Sequence, residues 1–543
     1  MKNKVIVDRP SKTVIVNKNY VYLKIGSSYD KLSKQTRPKR VLIGKLTSDN
    51  KLMPNSSYYE YFDTPLLEPD NRADSVIVGP YVVFDSIIEK FKLDTLLVGL
   101  FENANKILDI AYYYIISESN ASTYFEDYAY NHLLYSPKSF SDSTIGDLLK
   151  NISDKDIDTF FNAWCKINPK NDIYISYDST NINTVAGNID LAEYGVAKDN
   201  DEFPQVNISL AYDQSNSIPL FYDAYEGSII DNTECALMVE RAKRYGFKDI
   251  GFILDRGYFS LRNIRFFDEN NYSFIIMAKA SALFIKETIE EVRFKLKNSS
   301  NYFLKGYGIS GLTIERKISD KDKKKRYFHI YLDDEKAAIS KKEILNRFLL
   351  MDEDLTNKVN KKITKKEVLS SYEKYYSLKF DDYGYLKSFK RKDKVIDALI
   401  SDAGCFVIIT SKKMSALDAL DTYRNRDSIE KLFRAEKSYM GFDCFKVHDD
   451  TRLKAKLFIL FIALIVRTEV YNCLKPLYLK DSKNFTVPKA IKELEKLYVT
   501  KLADDKYHQR YLLTAKQKKI LTTFNISEES YKNTVNELLQ KLN

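Results

Sequence analysis

Residues 249–257 have the sequence DIGFILDRG, and this stretch decides the class of fold. Residues 250–254 are apolar apart from one glycine, which is the composition of a strand buried on both faces. Asp255 follows directly, and Arg256 and Gly257 after it favour an open turn. We therefore predict a buried strand that ends at Asp255, in a mixed α/β sheet flanked by helices.

A second apolar stretch, DIYISYDST at 172–180, predicts a neighbouring strand that ends at Asp178. The patterns from here to about residue 280 give the order three strands, helix, strand, helix, strand. Carboxylates at the carboxyl ends of neighbouring strands point into the crevice where α/β sheets bind ligands. Asp178 and Asp255 are therefore predicted to share one site. The alternative for either acid alone is a turn former or a helix cap.

A long helix is predicted at about 415–440, and it carries the strongest local pattern. At roughly 100° per residue, four of its polar residues share an arc of roughly 60°: Tyr423, Arg426, Glu430 and Lys437. A carboxylate flanked by two cations and a phenol suits a phosphodiester that approaches the helix. The alternative is a solvated helix face with ordinary charge pairs.

The regions around this core differ in pattern, and we divide the chain by those changes. The predicted parts are a small β-rich module at 1–60 that is a candidate for DNA binding, a helical N-terminal domain at 61–170, the first half of the core at 171–280, a basic insertion at 281–400, the second half of the core with the long helix at 401–475, and a helical C-terminal region at 476–543 that is a candidate for dimerisation.

Nearly all of the net charge of +10 lies in one block, because residues 281–400 hold 28 lysines and arginines against 19 acids. Such a concentration favours an anionic partner, although a single lysine run is usually a solvated surface. The candidate contacts to such a partner are Lys324, Lys325, Arg326, Lys390, Arg391 and Lys392 in this block, Arg256 beside Asp255, and Arg37, Lys39 and Arg40 in the first module.

The remaining composition narrows the class of protein. Five cysteines without a CxxC pair and four scattered histidines argue against zinc, so a metal would need oxygen ligands, as Mg²⁺ or Mn²⁺ does. The glycine motifs of P-loop, Rossmann and GxSxG enzymes are missing from the sequence. The N-terminus lacks a signal-peptide pattern, and the apolar run Leu457–Val466 is about half of a membrane span, so we expect a cytoplasmic protein without a membrane partner.

Three of these motifs together resemble a known family. YDSTNIN at 177–183, ILDRGYFS at 253–260 and Y-x2-R-x3-E-x6-K at 423–437 are similar to the DDE transposases of bacterial insertion sequences, in particular the YREK-signature branch, the insertion-sequence-four superfamily. The N-terminal segment that ends in KRVLIGKL at 39–46 is similar to one group of that branch.

The resemblance implies an RNase H-like mixed-sheet catalytic core, interrupted by a basic, β-rich insertion. It also implies that two Mg²⁺ ions, or Mn²⁺ in their place, are held by Asp178, Asp255 and Glu430. The implied activity is cut-and-paste excision and integration at terminal inverted repeats, by hydrolysis and strand transfer.

Further roles follow from the same resemblance. Tyr423, Arg426 and Lys437 would contact phosphates near the cleaved end, in a homodimer on paired DNA ends in the bacterial cytoplasm and nucleoid. In relatives a tryptophan of the insertion can stack on a flipped base. The only tryptophan here, Trp164, lies outside the insertion and is expected in the core of the helical region.

Two other functions stay open from the sequence. One is a metal-dependent nuclease or domesticated transposase that cuts DNA without strand transfer. The other is a DNA-binding regulator without catalysis, which DNA cleavage by the wild type but not by Asp255→Ala would exclude.

Overall fold

The computed structural model describes residues 6–16, 19–30, 34–55, 57–58, 61–62, 75–168, 173–195, 203–229, 231–247, 250–319, 322, 324–361, 372–426, 437, 440–442, 444–501, 506–509 and 511–543. The chain separates into two compact units, Met1–Asp74 and Ser75–Asn543.

The first unit is an antiparallel sheet, in the part of the chain where the sequence predicts strands. Its strands, in spatial order, are β1 (Thr13–Val16), β2 (Tyr20–Asp30), β3 (Gln35–Leu46) and β4 (Leu52–Pro54). Val21, Ile43 and Leu52 form its small buried core. The candidate DNA contacts Arg37, Lys39 and Arg40 are all exposed on β3.

The strands of the second unit are β5 (Ser75–Ile77), β6 (Ile173–Asn183), β7 (Gln205–Asp213), β8 (Ile218–Glu226), β9 (Ile250–Leu254), β10 (Ser273–Met277), β11 (Phe303–Leu304), β12 (Ile309–Arg316), β13 (Arg326–Leu332), β14 (Tyr376–Phe380), β15 (Leu386–Arg391), β16 (Cys405–Thr410), β17 (Tyr498–Lys501) and β18 (Tyr507–Gln509). Nine of them form one mixed sheet in the order β11-β12-β13-β16-β10-β9-β6-β7-β8. Within it β6, β9 and β10 are parallel neighbours, and the other pairs are antiparallel.

The helices of the second unit are α1 (Gly79–Phe91), α2 (Leu93–Leu100), α3 (Ala104–Ser117), α4 (Phe125–Asn131), α5 (Asp142–Asn151), α6 (Asp154–Ile167), α7 (Asp231–Arg244), α8 (Leu261–Glu269), α9 (Leu283–Asn298), α10 (Asp334–Lys358), α11 (Asp393–Asp402), α12 (Ala416–Arg424), α13 (Asp450–Lys480), α14 (Val487–Leu494), α15 (Ala515–Thr523) and α16 (Glu528–Leu542). The C-terminal region is mainly helical, with β17 and β18 added to β5 as a small sheet.

Helix α6 packs against β8, the edge strand of the large sheet. Ser153 starts α6 with a capping box, and the amphipathic helix that follows buries Trp164 completely. The Trp164 indole Nε1 donates a hydrogen bond to the Pro219 carbonyl at the start of β8, at 3.0 Å. Trp164 is therefore a core residue, as predicted.

Helix α13 is the central helix of the core. It is longer than the apolar run at 457–466 suggests, and by length and composition it could cross a membrane. However, 83% of its most apolar window is buried inside the protein, where it contacts α3 and β8. A core helix of a large domain has this composition too, so the length of α13 does not point to a membrane.

The segment 281–400 differs from the predicted β-rich insertion. Its strands β11–β13 extend the large sheet and pair through β13 with β16, and its longest element is the helix α10. The hairpin β14–β15 packs with α10 and α11 around a separate small core that includes Phe348 and Tyr376. The segment is mixed, and part of it completes the large sheet.

Candidate active site

The pairing of β6 with β9 brings the two predicted aspartates together. The strands are parallel with Tyr177 opposite Leu254, so Asp178 and Asp255 come next on adjacent strands. The end of β9 before Asp255 agrees with the prediction. The predicted end of β6 at Asp178 is wrong, because β6 continues to pair with β7 as far as Asn183. Asp178 instead lies inside β6, level with the point where the parallel strand β9 ends.

Both carboxylates are positioned by neighbouring groups, and they differ in how far their side chains are exposed to solvent. The side chain of Asp178 is 13% exposed and that of Asp255 is 39% exposed. Asp178 Oδ1 accepts a hydrogen bond from the Ser179 amide at 2.9 Å. Asp255 precedes a short 3₁₀ helix but makes no side-chain cap to it. The geometry therefore gives no support to the helix-cap alternative for Asp255.

Helix α12 and the turn after it deliver a tyrosine and an arginine to these carboxylates. Ser415 caps the start of α12, and the buried Tyr423 near its end donates a hydrogen bond to Asp255 Oδ1 at 3.1 Å. Arg426 Nη1 donates to Asp178 Oδ2 at 2.9 Å, and its Nη2 lies 3.7 Å from Asp255 Oδ1. These four residues, Asp178, Asp255, Tyr423 and Arg426, are called the carboxylate cluster below.

Burial sets the ionisation of the phenol in this cluster. Desolvation raises the pKa of Tyr423 well above its usual range, and the nearby Arg426 opposes this only in part. The phenol therefore stays protonated and acts as a hydrogen-bond donor to Asp255 at neutral pH.

Of the predicted helix at 415–440, the structure describes residues 415–426, 437 and 440. Helix α12 ends at Arg424, and Asn425 and Arg426 form a turn. Arg426 thus reaches the carboxylates from a turn rather than from an unbroken helical stripe. Glu430 lies outside the described residues, and Lys437 is helical and half-buried.

The donor set of the cluster fits a hard divalent cation. Asp178 and Asp255 supply carboxylate oxygens, which Mg²⁺ and Mn²⁺ prefer as ligands. The two carboxylates lie on adjacent strands beside the Arg426 guanidinium, so their oxygens are close enough together to bind one cation. Within the described part of the chain, no group of three or more His, Cys, Asp or Glu residues could hold a metal. A site with three carboxylates therefore needs a residue from outside the described part of the chain, such as Glu430.

The other candidate DNA contacts fall into two groups. The side chains exposed at the surface are those of Arg256, Lys324, Lys325, Lys390 and Lys392. Arg326 is buried and its guanidinium pairs with Asp268, while the half-buried Arg391 pairs with Asp352. These two arginines serve the fold, because their charges are neutralised by partners on neighbouring elements.

A hydrogen-bonded clamp around Asn120 fixes the chain after the region of Glu430. The sequence gives little sign of this clamp. The buried Asn120 donates through Nδ2 to the carbonyls of Gly441, at 2.7 Å, and Cys444, at 3.2 Å. Lys456 of α13 donates in turn to Asn120 Oδ1 at 3.2 Å. Its complete burial lowers the pKa of Lys456 to about 7. The only sequence signal is a lysine at the start of an apolar helical run.

Gly441 lets the two segments of this clamp approach each other. Its φ of +71° lies in the left-handed region, and a Cβ there would come within 3.1 to 3.3 Å of residues 118–120. A side chain at this position would therefore be strained and crowded at once.

Comparison with known proteins gives one family. Residues 172–466 match the family model described as the transposase DDE domain, a span that includes Asp178, Asp255 and Arg426. No curated protein matches the chain. Among solved structures, a cryo-EM structure of a piggyBac transposase synaptic complex with hairpin DNA is 9% identical, with a TM-score of 0.35, over 78% of this chain and 82% of that chain. A likeness of that size adds nothing to the family match.

Proposed function

Because the chain belongs to the transposase DDE domain family, whose model matches more than half of its length, we propose that it is a DNA transposase that excises and integrates an insertion sequence by cut-and-paste. The observation that carries the proposal is the carboxylate cluster, in which Asp178 and Asp255 on adjacent parallel strands face the same guanidinium. A purely structural ion pair would need only one of the two acids.

We assign the chain to the YREK branch, with an RNase H-like core. The sheet supports this assignment, because β6–β8 are antiparallel and the strands β9 and β10 lie beside β6 and are parallel to it. So does the contact of Tyr423 and Arg426, the first two residues of the signature, with the aspartates.

Asp178 and Asp255, with Glu430 as the third ligand, would hold two Mg²⁺ ions or Mn²⁺ in their place. Such ions activate an oxygen nucleophile and stabilise the leaving 3′ oxygen of a phosphodiester. Tyr423 keeps the Asp255 carboxylate oriented through its hydrogen bond. Arg426 pairs with Asp178, lies near Asp255, and can turn its guanidinium to a DNA phosphate near the cleaved end. Lys437 is proposed as a second phosphate contact.

The exposed cations are proposed as further contacts to DNA. Arg256 directly follows Asp255, and the lysines at 324, 325, 390 and 392 are exposed on the basic segment. Contacts of this kind give an affinity that falls steeply as salt is added. The proposal also includes binding of the terminal inverted repeats by the first module, through Arg37, Lys39 and Arg40, in a homodimer on paired ends in the bacterial cytoplasm.

The test is Mg²⁺-dependent cleavage of a plasmid that carries the DNA flanking the gene, with the wild type compared with Glu430→Gln. Release of the segment at defined ends by the wild type, with binding alone by the variant, supports the transposase and the role of Glu430. Equal cleavage by both removes Glu430 from the metal ligands. Cleavage without joining to target DNA favours a nuclease, and specific binding without any cleavage favours a regulatory relative.

A further inference from the structure

The turn between β11 and β12 presents one tyrosine to the end of helix α12. The two strands pair Leu304 with Ile309, and Tyr307 lies in the short loop between them. Its neighbours Gly306 and Gly308 have φ of +93° and +68°, a region that other residues rarely adopt. The loop conformation therefore depends on both glycines, and it sets the direction of the tyrosine between them.

Tyr307 contacts the last turn of α12 in two ways. Its hydroxyl donates a hydrogen bond to Asp421 Oδ1, and the Arg424 guanidinium lies over its ring, 4.3 Å from the centroid. Asp421 and Arg424 are three positions apart, so they lie on one face of the helix. The hydrogen bond to Asp421 raises the pKa of Tyr307, so the phenol stays protonated as the donor at neutral pH. We call these three residues the Tyr307 latch.

The Tyr307 latch lies at the part of α12 that brings side chains to the aspartates. Tyr423 is inside the latched turn, and Arg426 follows directly after the end of the helix. The buried face of α12, which includes Leu420 and Tyr423, packs on apolar residues of the large sheet, and such contacts are not directional. Helix ends also fray easily. A hydrogen bond is directional, so the latch opposes both rotation and unwinding of this last turn.

We propose that Tyr307 is a positioning residue, which holds the end of α12 so that Tyr423 and Arg426 reach the two aspartates of the carboxylate cluster. The proposal rests on the proposed function, because its consequence is measured in DNA cleavage. It gives the turn between β11 and β12, which belongs to the basic segment 281–400, a role at the site through α12. Tyr307 acts on the cluster only through the helix that it holds.

Tyr331 offers a matched control at the other end of the same helix. Its hydroxyl donates a hydrogen bond to the Ala416 carbonyl in the first turn of α12, at 2.7 Å. Tyr307→Phe and Tyr331→Phe therefore each remove one phenol hydrogen bond to α12, but only Tyr307→Phe acts on the turn that carries Tyr423. Both variants should lower the melting temperature slightly and by similar amounts.

The first test is hydrogen–deuterium exchange of the full chain without DNA or metal, read by mass spectrometry. Tyr307→Phe should speed the exchange of the amides at 421–426 at least about threefold, because their local opening becomes easier. Tyr331→Phe should change exchange only at the start of α12. Unchanged exchange at 421–426 in both Tyr307→Phe and Tyr307→Ala overturns the proposal, whatever the wild type does to DNA.

The second test is single-turnover DNA cleavage, with the dissociation constant for DNA measured alongside. Tyr307→Phe should slow cleavage about fivefold, and Tyr307→Ala, which also removes the ring under Arg424, about thirtyfold, because small displacements of positioned groups slow a reaction strongly. DNA affinity should stay unchanged, and Tyr331→Phe should cleave at the wild-type rate. Equal rates for the two phenylalanine variants, or a loss of DNA affinity that accounts for the slower cleavage, overturns the proposal. A wild type that binds DNA without cleaving it contradicts the proposed function instead, and the exchange result then decides whether Tyr307 holds the helix.

Discussion

Two clusters in the second unit use the same residue types and differ in what they can bind. The carboxylate cluster joins Asp178 and Asp255 to Arg426 and Tyr423. The other, which we call the hairpin cluster, consists of Asp352 of α10, Arg391 of β15 and Tyr376 of β14. In both clusters an arginine and a tyrosine donate to aspartate.

The number and placement of the acids, rather than the residue types, separate the two clusters. The Asp352 and Arg391 side chains are 31% and 35% exposed, so they are as open to solvent as Asp255. One carboxylate there meets one guanidinium, and the pair fastens a hairpin to a helix. In the carboxylate cluster two acids share one arginine where a strand ends. Two carboxylates on adjacent strands, where β9 ends, give the carboxylate cluster two ligands for a cation.

The largest expected difference is in DNA cleavage. Asp255→Asn removes a metal ligand and should lower the single-turnover cleavage rate by at least about 10³. Asp352→Asn breaks only the hairpin cluster and should stay within about threefold of the wild type. Equal losses in the two variants would show that the clusters are not functionally distinct. Circular dichroism of each variant checks that the chain is folded.

The second difference is in the stabilisation by metal. Mg²⁺ at about 100 times its dissociation constant should raise the free energy of unfolding by about 2.7 kcal/mol. Asp255→Asn should lose this gain, and Asp352→Asn should keep it. Urea unfolding followed by the fluorescence of Trp164 measures it, since this single tryptophan is buried in the core. A gain that survives in Asp255→Asn would place the metal elsewhere.

The third difference is between the two arginines. Arg426→Gln removes a positive charge from the site where the metal would bind. Because the repulsion between the guanidinium and the metal is lost, Mn²⁺ should bind about tenfold more tightly. Arg391→Gln should leave Mn²⁺ binding unchanged and lower the free energy of unfolding by about 1 kcal/mol. Titration by electron paramagnetic resonance without DNA measures the binding. Weaker Mn²⁺ binding by Arg426→Gln would mean that the guanidinium is needed to hold the aspartates in place.

The smallest difference is between the two phenols. Tyr376→Phe removes the hydrogen bond to Asp352 and should lower the free energy of unfolding by about 1 kcal/mol. Tyr423→Phe should slow cleavage about fivefold, with a smaller effect on unfolding, because its hydrogen bond orients Asp255. Urea unfolding and single-turnover cleavage of both variants measure this. If Tyr423→Phe affects only stability, Tyr423 is a packing residue.

Short-range sequence patterns predicted the strands that carry Asp178 and Asp255 and placed both acids in one crevice. They could not predict that β6 continues past Asp178, because that depends on its pairing with β7. The contribution of β11–β13 to the large sheet was missed for the same reason, since the partner strand β16 comes after α10 and α11. Pairing across a long separation leaves no local pattern in a single sequence.

The helical wheel grouped Tyr423 with Arg426 but assumed an unbroken helix. The turn at Asn425 gives Arg426 a different approach, and its double contact with the aspartates could not be read from spacing. The clamp of Asn120 and Lys456 joins side chains 336 positions apart. Neither residue type signals such a contact in advance. The roles of Glu430 and Lys437 stay predictions.

The most direct test is a crystal of the full chain grown with Mn²⁺, with the metal located by its anomalous scattering. We expect a Mn²⁺ peak in contact with the carboxylates of Asp178 and Asp255, with the Arg426 guanidinium turned away from them. Mn²⁺ bound elsewhere, with Arg426 still bridging the two aspartates, would contradict it.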